Sequence, residues 1–190
     1  MTTLVAIQGN GWAAVGCDSR SSGDDGRFME LATHKIIENN GILIAGSGAS
    51  RGSNILQFGW KAPKPRATDD LDVFMTQTFI PAMRKLFIDS GYDMKEDGDA
   101  AAHDSQFLVV VRGVIYPIFE DYSWDRDVRG IYCSGSGADI ALGAIEAFAN
   151  SRKQTTPKVA EIDIRMAIKI ASRWDIHTGE PVVVKIQNAK

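Results

Sequence analysis

The chain opens on a hairpin, and that hairpin constrains what can follow it. Thr3 to Gln8 is short, β-branched and apolar, Trp12 to Cys17 is the return strand, and Asn10-Gly11 lies between them. An Asn-Gly pair between apolar runs is a strong two-residue turn signal, because a type I′ turn needs positive φ at both central positions. The hairpin starts directly behind Met1-Thr2. A small second residue favours removal of the initiator Met, which leaves Thr2 with a free α-amine. One residue then carries a hydroxyl nucleophile and a weak base with a pKa of about 7.7–8.0.

The later elements are read from periodicity and punctuation. Ser19 to Gly26 is polar and Gly-rich and is expected as a loop. Lys35 to Ile37 reads as a short strand, turned by Asn39-Asn40-Gly41 into Ile42 to Ala45. Gly46 to Gly52 is expected as a loop leading into a helix over Ser53 to Trp60, which Pro63 and Pro65 end. Leu71, Phe74, Met75, Phe79, Met83, Leu86 and Phe87 recur at helical spacing and predict one long helix over Asp69 to Ser90. Thr68-Asp69-Asp70 starts it, and Pro81 kinks or breaks it. Gly91 to Asp104 is charged and expected to be mobile. Gln106 to Val111 and Val114 to Glu120 form a second hairpin around Arg112-Gly113, followed by a strand over Arg129 to Cys133. Helices over Ala138 to Asn150 and Val159 to Trp174 precede a last strand, Pro181 to Gln187. This order is not βαβ alternation and disfavours a doubly wound parallel sheet. It fits an α+β chain with two antiparallel sheets between helical layers. At 190 residues and 20.7 kDa, one domain over 1–190 is expected.

Composition narrows the function classes. The net charge of −3 and the scattered Lys and Arg give no case for nucleic acid or an anionic membrane. No apolar run approaches the ~20 residues of a membrane helix, and no signal peptide is read at the N-terminus. Cys17 and Cys133 are too few and too far apart for a disulfide framework, which fits a cytoplasmic setting. His34, His103 and His177 share no metal-ligand spacing, so no metal is expected. Gly9-Asn10-Gly11-Trp12-Ala13-Ala14 matches Gly-x-Gly-x-x-Ala formally, but a strand follows it where a dinucleotide site needs a helix, so no cofactor is expected.

Five further features accompany Thr2. Asp18 follows sixteen positions later in Cys-Asp-Ser-Arg. Lys35 opens Lys-Ile-Ile-Glu. Ala45-Gly46-Ser47-Gly48-Ala49 follows an apolar strand. Ser136 lies in Ser-Gly-Ser136-Gly-Ala, and Asp175-Ile-His-Thr178-Gly179 lies near the end. In this order and spacing the chain resembles the proteasome β-subunit and its bacterial HslV-type relatives, the N-terminal-nucleophile hydrolases. The resemblance covers nearly the whole chain and is strongest at 2–20, 35–49, 131–145 and 173–184. It implies a four-layer αββα sandwich and a threonine-type endopeptidase. It places Lys35 beside the Thr2 hydroxyl, where a cation lowers the pKa of hydroxyl and amine, and pairs it with Asp18. Gly46, or alternatively Ser47, would offer its N–H to the oxyanion. Ser136 would hydrogen-bond the N-terminal amine, with Asp175 and Thr178 completing the network. Ser47 and Thr178 depart from the family's more usual Gly and Ser.

The resemblance further implies a homo-oligomeric ring, hexamer or heptamer and often stacked in pairs in the family, acting on polypeptides. A separate ATPase unfoldase would feed it, since this chain has no nucleotide motif. Residues near Ser21, Thr33, Ile37 and Ile44 are expected at the specificity pocket. Two other readings share these residues: an inactive shell subunit with Met1 retained, and an N-terminal-nucleophile amidase on small amides.

Overall fold

The first strand, β1 (Thr3–Gly9), is apolar almost throughout because both of its faces are covered. Leu4 and Ala6 point into a layer between two sheets, where they pack with Val15, Leu43, Ala45 and Leu108. Val5 and Ile7 point the opposite way, onto Ala160, Ile164 and Ile168. β2 (Trp12–Cys17) divides in the same way, with Ala13, Val15 and Cys17 between the sheets and Trp12 and Ala14 under helices. A period-2 strand buried on both sides loses its polar alternation and reads as one hydrophobic run.

The computed structural model describes residues 2–23, 25, 27–93, 101–151 and 155–189. Met1 and residues 94–100 of the segment expected to be mobile lie outside them. Short strands β3 (Arg20–Ser22) and β4 (Phe28–Glu30) pair with each other beyond β2. β5 (Ile36–Asn39) and β6 (Ile42–Gly48) precede the first helical layer. That layer comprises α1 (Ser50–Phe58), α2 (Leu71–Phe74) and α3 (Ile80–Asp89). Then come β7 (Ser105–Val111), β8 (Val114–Ile118) and β9 (Ile131–Gly135). Helices α4 (Ala138–Asn150) and α5 (Pro157–Ala171) and strand β10 (Val183–Asn188) complete the order. One sheet runs β10-β2-β1-β9 and the other β5-β6-β7-β8, all antiparallel. Helices α4 and α5 cover the first sheet, and α1 to α3 cover the second through Leu56, Phe74, Phe79, Met83 and Phe87. The layers are helix, sheet, sheet, helix.

The structure differs from the expectations at several points. At Asn10-Gly11 only Gly11 has positive φ (76°), so the turn is not type I′. Asn40-Gly41 (52° and 81°) and Arg112-Gly113 (49° and 75°) do have positive φ at both positions. Part of the expected 19–26 loop is strand β3, and Gly46 to Gly48 extend β6 instead of forming a loop. Pro81 does not break its helix. Pro has no N–H and collides with the carbonyl four residues back, and a π-helical turn over Met75–Phe79 just before it accommodates the misfit. Asp70 caps this helix, accepting from the amides of Asp72 and Val73. The described flanks of the 91–104 segment are anchored: Tyr92 and His103 are buried, and His103 lies among Phe87, Phe107 and Tyr122. Ile37 and Ile44, expected at a specificity pocket, face the helical layer of the second sheet. Cys17 and Cys133 are both free, on opposite faces of one sheet with β1 between them.

Candidate active site

Asp18 leaves the end of β2 fully buried and accepts four hydrogen bonds. Its Oδ1 accepts from Lys35 Nζ (2.7 Å) and the Thr3 amide (3.0 Å), and its Oδ2 from the amides of Arg20 (3.0 Å) and Gly179 (3.2 Å). Lys35, just ahead of β5, also donates to the Arg20 carbonyl at 2.5 Å. A carboxylate in the interior is tolerable only when paired and fully hydrogen-bonded. Satisfying it here joins the first strand, the β3 hairpin and the 175–179 loop at one point.

A second cluster lies on the other side of the N-terminal strand. Ser136 Oγ donates to Asp175 Oδ2 (2.7 Å) and contacts the Thr2 carbonyl at 3.4 Å. The Thr178 hydroxyl donates to the same Asp175 oxygen (2.5 Å), and the Thr3 and Thr178 hydroxyls lie 2.5 Å apart. With the Thr178 proton on Asp175, Thr3 is the donor to Thr178. Burial raises the Asp175 pKa, but the Thr178 and Ser136 hydroxyls and the His177 amide together outweigh it and leave it below the usual carboxylate value. Gly135 lets the strands approach: its φ is 92°, and a Cβ there would stand 1.9 Å from the Thr2 carbonyl oxygen.

Thr2 is 5% exposed. By alternation along the strand it shares the face of Leu4 and Ala6, which puts it at the open end of the layer between the sheets. It opens on a cleft walled by Ser47, Gly48, Gly135 and Ser136. The Gly46 amide, expected to meet an oxyanion, donates instead to the Lys35 carbonyl (3.3 Å) in strand pairing. The Ser47 hydroxyl is hydrogen-bonded to that of Ser134 (2.7 Å), which in turn donates to Gln106 Oε1 (3.0 Å), so a polar bridge ties the two sheets at the cleft. Gly48 has φ 95°, and a Cβ there would meet the Asp104 carbonyl at 2.8 Å.

Of the sequence-predicted residues, Asp18 and Lys35 form one cluster, and Ser136, Asp175 and Thr178 the other. Thr2 and Ser47 border the cleft, and Gly46 lies behind its wall. Thr3, Arg20, Ser134, Gln106 and His177 were missed. Thr3 carries the same hydroxyl as Thr2, but only the structure shows it turned toward Thr178. Arg20 was visible in Cys-Asp-Ser-Arg, yet nothing local signalled its bond to the Ile176 carbonyl (2.9 Å) or its place 4.1 Å over the Phe28 ring. His177 Nδ1 is hydrogen-bonded to Ser22 Oγ (2.7 Å), a pairing across 155 positions. Among the described residues no group of three or more His, Cys, Asp and Glu is placed to hold a metal.

Two antiparallel sheets between helical layers, with the first strand ending at a cleft between them, constitute the αββα fold of the N-terminal-nucleophile type. Solved structures share it along the whole chain. BPH of Thiobacillus denitrificans in complex with epoxomicin superposes with a TM-score of 0.78 at 18% identity, covering 100% of both chains. A second structure of BPH from the same organism gives 0.75 at 18%, covering 100% of this chain and 99% of the other. HslV of Trypanosoma brucei gives 0.66 at 14%, covering 98% and 99%. No family model matches the sequence, and no curated protein does. The chain therefore has the proteasome and HslV fold at low sequence identity.

Proposed function

We propose that the chain is a threonine-type endopeptidase whose nucleophile is Thr2, exposed by removal of Met1. The observation that carries this is the Asp18 carboxylate, which holds the Lys35 ammonium and the Thr3 amide on one oxygen. The cation thus stands beside the Thr2–Thr3 peptide. In the reaction, Thr2 Oγ attacks the scissile carbonyl and its proton passes to the Thr2 α-amine. The C–N bond then breaks, and the leaving amine takes that proton. Water attacks the resulting ester and gives a proton to the same amine; the ester C–O bond then breaks, Thr2 Oγ takes that proton back, and the acyl product leaves as a carboxylic acid. Ser136, Asp175, Thr178 and Thr3 hold the backbone around that amine.

For the oxyanion we assign the Gly48 amide in place of Gly46 and Ser47. Gly46 is bonded on the β5 side and Ser47 pairs toward β7, so alternation turns the Gly48 N–H past the end of β5 toward the cleft. One such donor is worth about 2.7–4 kcal/mol of barrier.

We infer also that the chain acts in the cytoplasm as a closed homo-oligomeric ring, hexameric or heptameric, served by a separate ATPase. The exposed Trp174 and Ile176 support a subunit contact. The test is treatment with a peptide epoxyketone and mass mapping, alongside intact mass for the loss of Met1. The expected adduct is on Thr2 and is absent in Thr2→Ala, which also loses peptide cleavage. Cleavage at the wild-type rate by Thr2→Ala, or an adduct elsewhere, removes Thr2 from the mechanism.

A further inference from the structure

Among the described residues the cleft that Thr2 opens on carries charge of one sign: two carboxylates, Asp104 and Glu120, border it, and no Lys or Arg does. Both acids are placed by backbone pairing that continues the second sheet past its named strands. The Asp104 carbonyl accepts the Ala49 amide (2.9 Å), and the Glu120 carbonyl accepts the His103 amide (2.8 Å). Both residues are therefore fixed at the end of the sheet where β6 finishes in Gly48. Both side chains are exposed, and neither has a hydrogen bond or ion pair among the described residues. The buried His103 beside them does not offset them, because burial pushes its pKa down to about 4 and keeps it neutral. The Thr2 side chain, itself nine-tenths buried, makes no hydrogen bond through its hydroxyl to any described residue where it borders this cleft. Among the described residues, a hydroxyl without a hydrogen bond and an acidic wall without a facing cation thus border the same space.

The side of the cleft matters. Sheet order β5-β6-β7-β8 puts β7 and β8 on one side of β6, and β5 with Lys35 on the other. If the acyl part of a substrate whose carbonyl meets Gly48 runs along the β5 side, where β6 is unpaired beyond Lys35, its leaving part passes the ends of β7 and β8. We propose that Asp104 and Glu120 select a basic side chain in the leaving part of the peptide, within about two residues of the scissile bond. This rests on the Thr2 reading. Exposed carboxylates attract a cation weakly one at a time, so discrimination of about fivefold is expected from the pair, and less at high salt.

The test uses peptide pairs identical except for Lys against norleucine at the second residue of the leaving part. The chain should cleave the Lys peptide about fivefold faster in kcat/KM at low salt. That ratio should fall toward one in Asp104→Asn/Glu120→Gln and at 0.5 M salt. Equal rates in the wild type, an unchanged ratio in the double variant, or a Lys preference confined to the acyl part would each overturn the proposal. Binding of the same labelled peptides to Thr2→Ala separates the two readings. Preferential binding of the Lys peptide when the wild type cleaves neither would uphold the acidic wall and remove the peptidase. Cleavage of both at equal rates would do the reverse.

Discussion

Replacing Asp18 by Asn keeps the side-chain shape and removes the charge. In the native chain both Asp18 oxygens accept, Oδ1 from Lys35 and Thr3, Oδ2 from Arg20 and Gly179. Asn has one acceptor oxygen and one NH2 group. Whichever way it turns, the NH2 faces two donors, so two bonds are lost and opposed. If the oxygen serves Lys35 and Thr3, the Arg20 and Gly179 amides lose their acceptor. In the other orientation the NH2 is set against the Lys35 ammonium. In both cases Lys35, 8% exposed at its side chain, loses the Asp18 counter-charge. Removing one partner of a buried ion pair costs about 3–5 kcal/mol. For a chain of this length that is roughly 6–20 °C of Tm, at about 2–4 °C per kcal/mol. Thermal unfolding and guanidinium titration of Asp18→Asn measure it directly. Asp18→Asn/Lys35→Met removes both charges and should recover part of the loss, because the cation left behind accounts for much of it. A loss under about 1 kcal/mol in the single variant would refute the reasoning, since it would mean the pair behaves as an exposed one.

The Gly135→Ala variant should lose both stability and activity. Its Cβ would sit 1.9 Å from the Thr2 carbonyl oxygen at φ 92°, so strain of about 1–3 kcal/mol is expected, with turnover reduced on the order of a hundredfold through displacement of Thr2. Wild-type kcat with unchanged Tm would show that the strands are not in contact there. His103→Leu should flatten the acid limb of the stability profile. Burial holds the folded-state pKa of His103 (about 4) below its ordinary value of 6.5, so the folded chain binds fewer protons. Its contribution, about 3 kcal/mol, is whole above pH 6.5 and is lost as pH falls toward 4. Denaturant titrations between pH 4 and 7 compare the two slopes, and identical slopes would show that His103 titrates normally.

What was legible in the sequence was what local chemistry dictates. The hairpin turns at Asn40-Gly41 and Arg112-Gly113 follow from Asn40 and the two glycines, which tolerate positive φ, and the Asp70 cap follows from a side-chain oxygen set before a helix. Two antiparallel sheets between helical layers followed from the order of strands and helices, and the four-layer αββα sandwich from the family resemblance. What was not legible depended on partners distant in the chain. Gly46-Ser47-Gly48 looks like a loop in isolation and becomes strand because β7 pairs along it. Pro81 signals a break, and only packing of the helix against the sheet selects a π turn instead. The β3–β4 hairpin has no hydrophobic face of its own to announce it: Phe28 and Met29 are exposed, and Arg20 covers one of them. The candidate site residues came from the family resemblance, carried by the order and spacing of motifs after Thr2, whereas Thr3, Ser134 and Gln106 enter through contacts that no spacing encodes.

Both polar clusters converge on Thr3, and of Thr2 they take only the carbonyl, through Ser136 Oγ at 3.4 Å. Asp18 takes the Thr3 amide, and the Asp175 network takes the Thr3 hydroxyl. The successor of the proposed nucleophile is therefore held from two directions, by its backbone on one side and its side chain on the other. Alternation then sends the Thr2 side chain to the opposite face, toward the gap between the sheets. With Met1 removed, as proposed, Thr2 would be a terminal residue, and such residues ordinarily fray. Fixing residue 3 leaves Thr2 only its own torsions to lose, and leaves its hydroxyl unspent in hydrogen bonds to described residues. That division of labour explains why so many buried polar groups are gathered at the start of β1 while the hydroxyl proposed to react stays unpaired at the cleft.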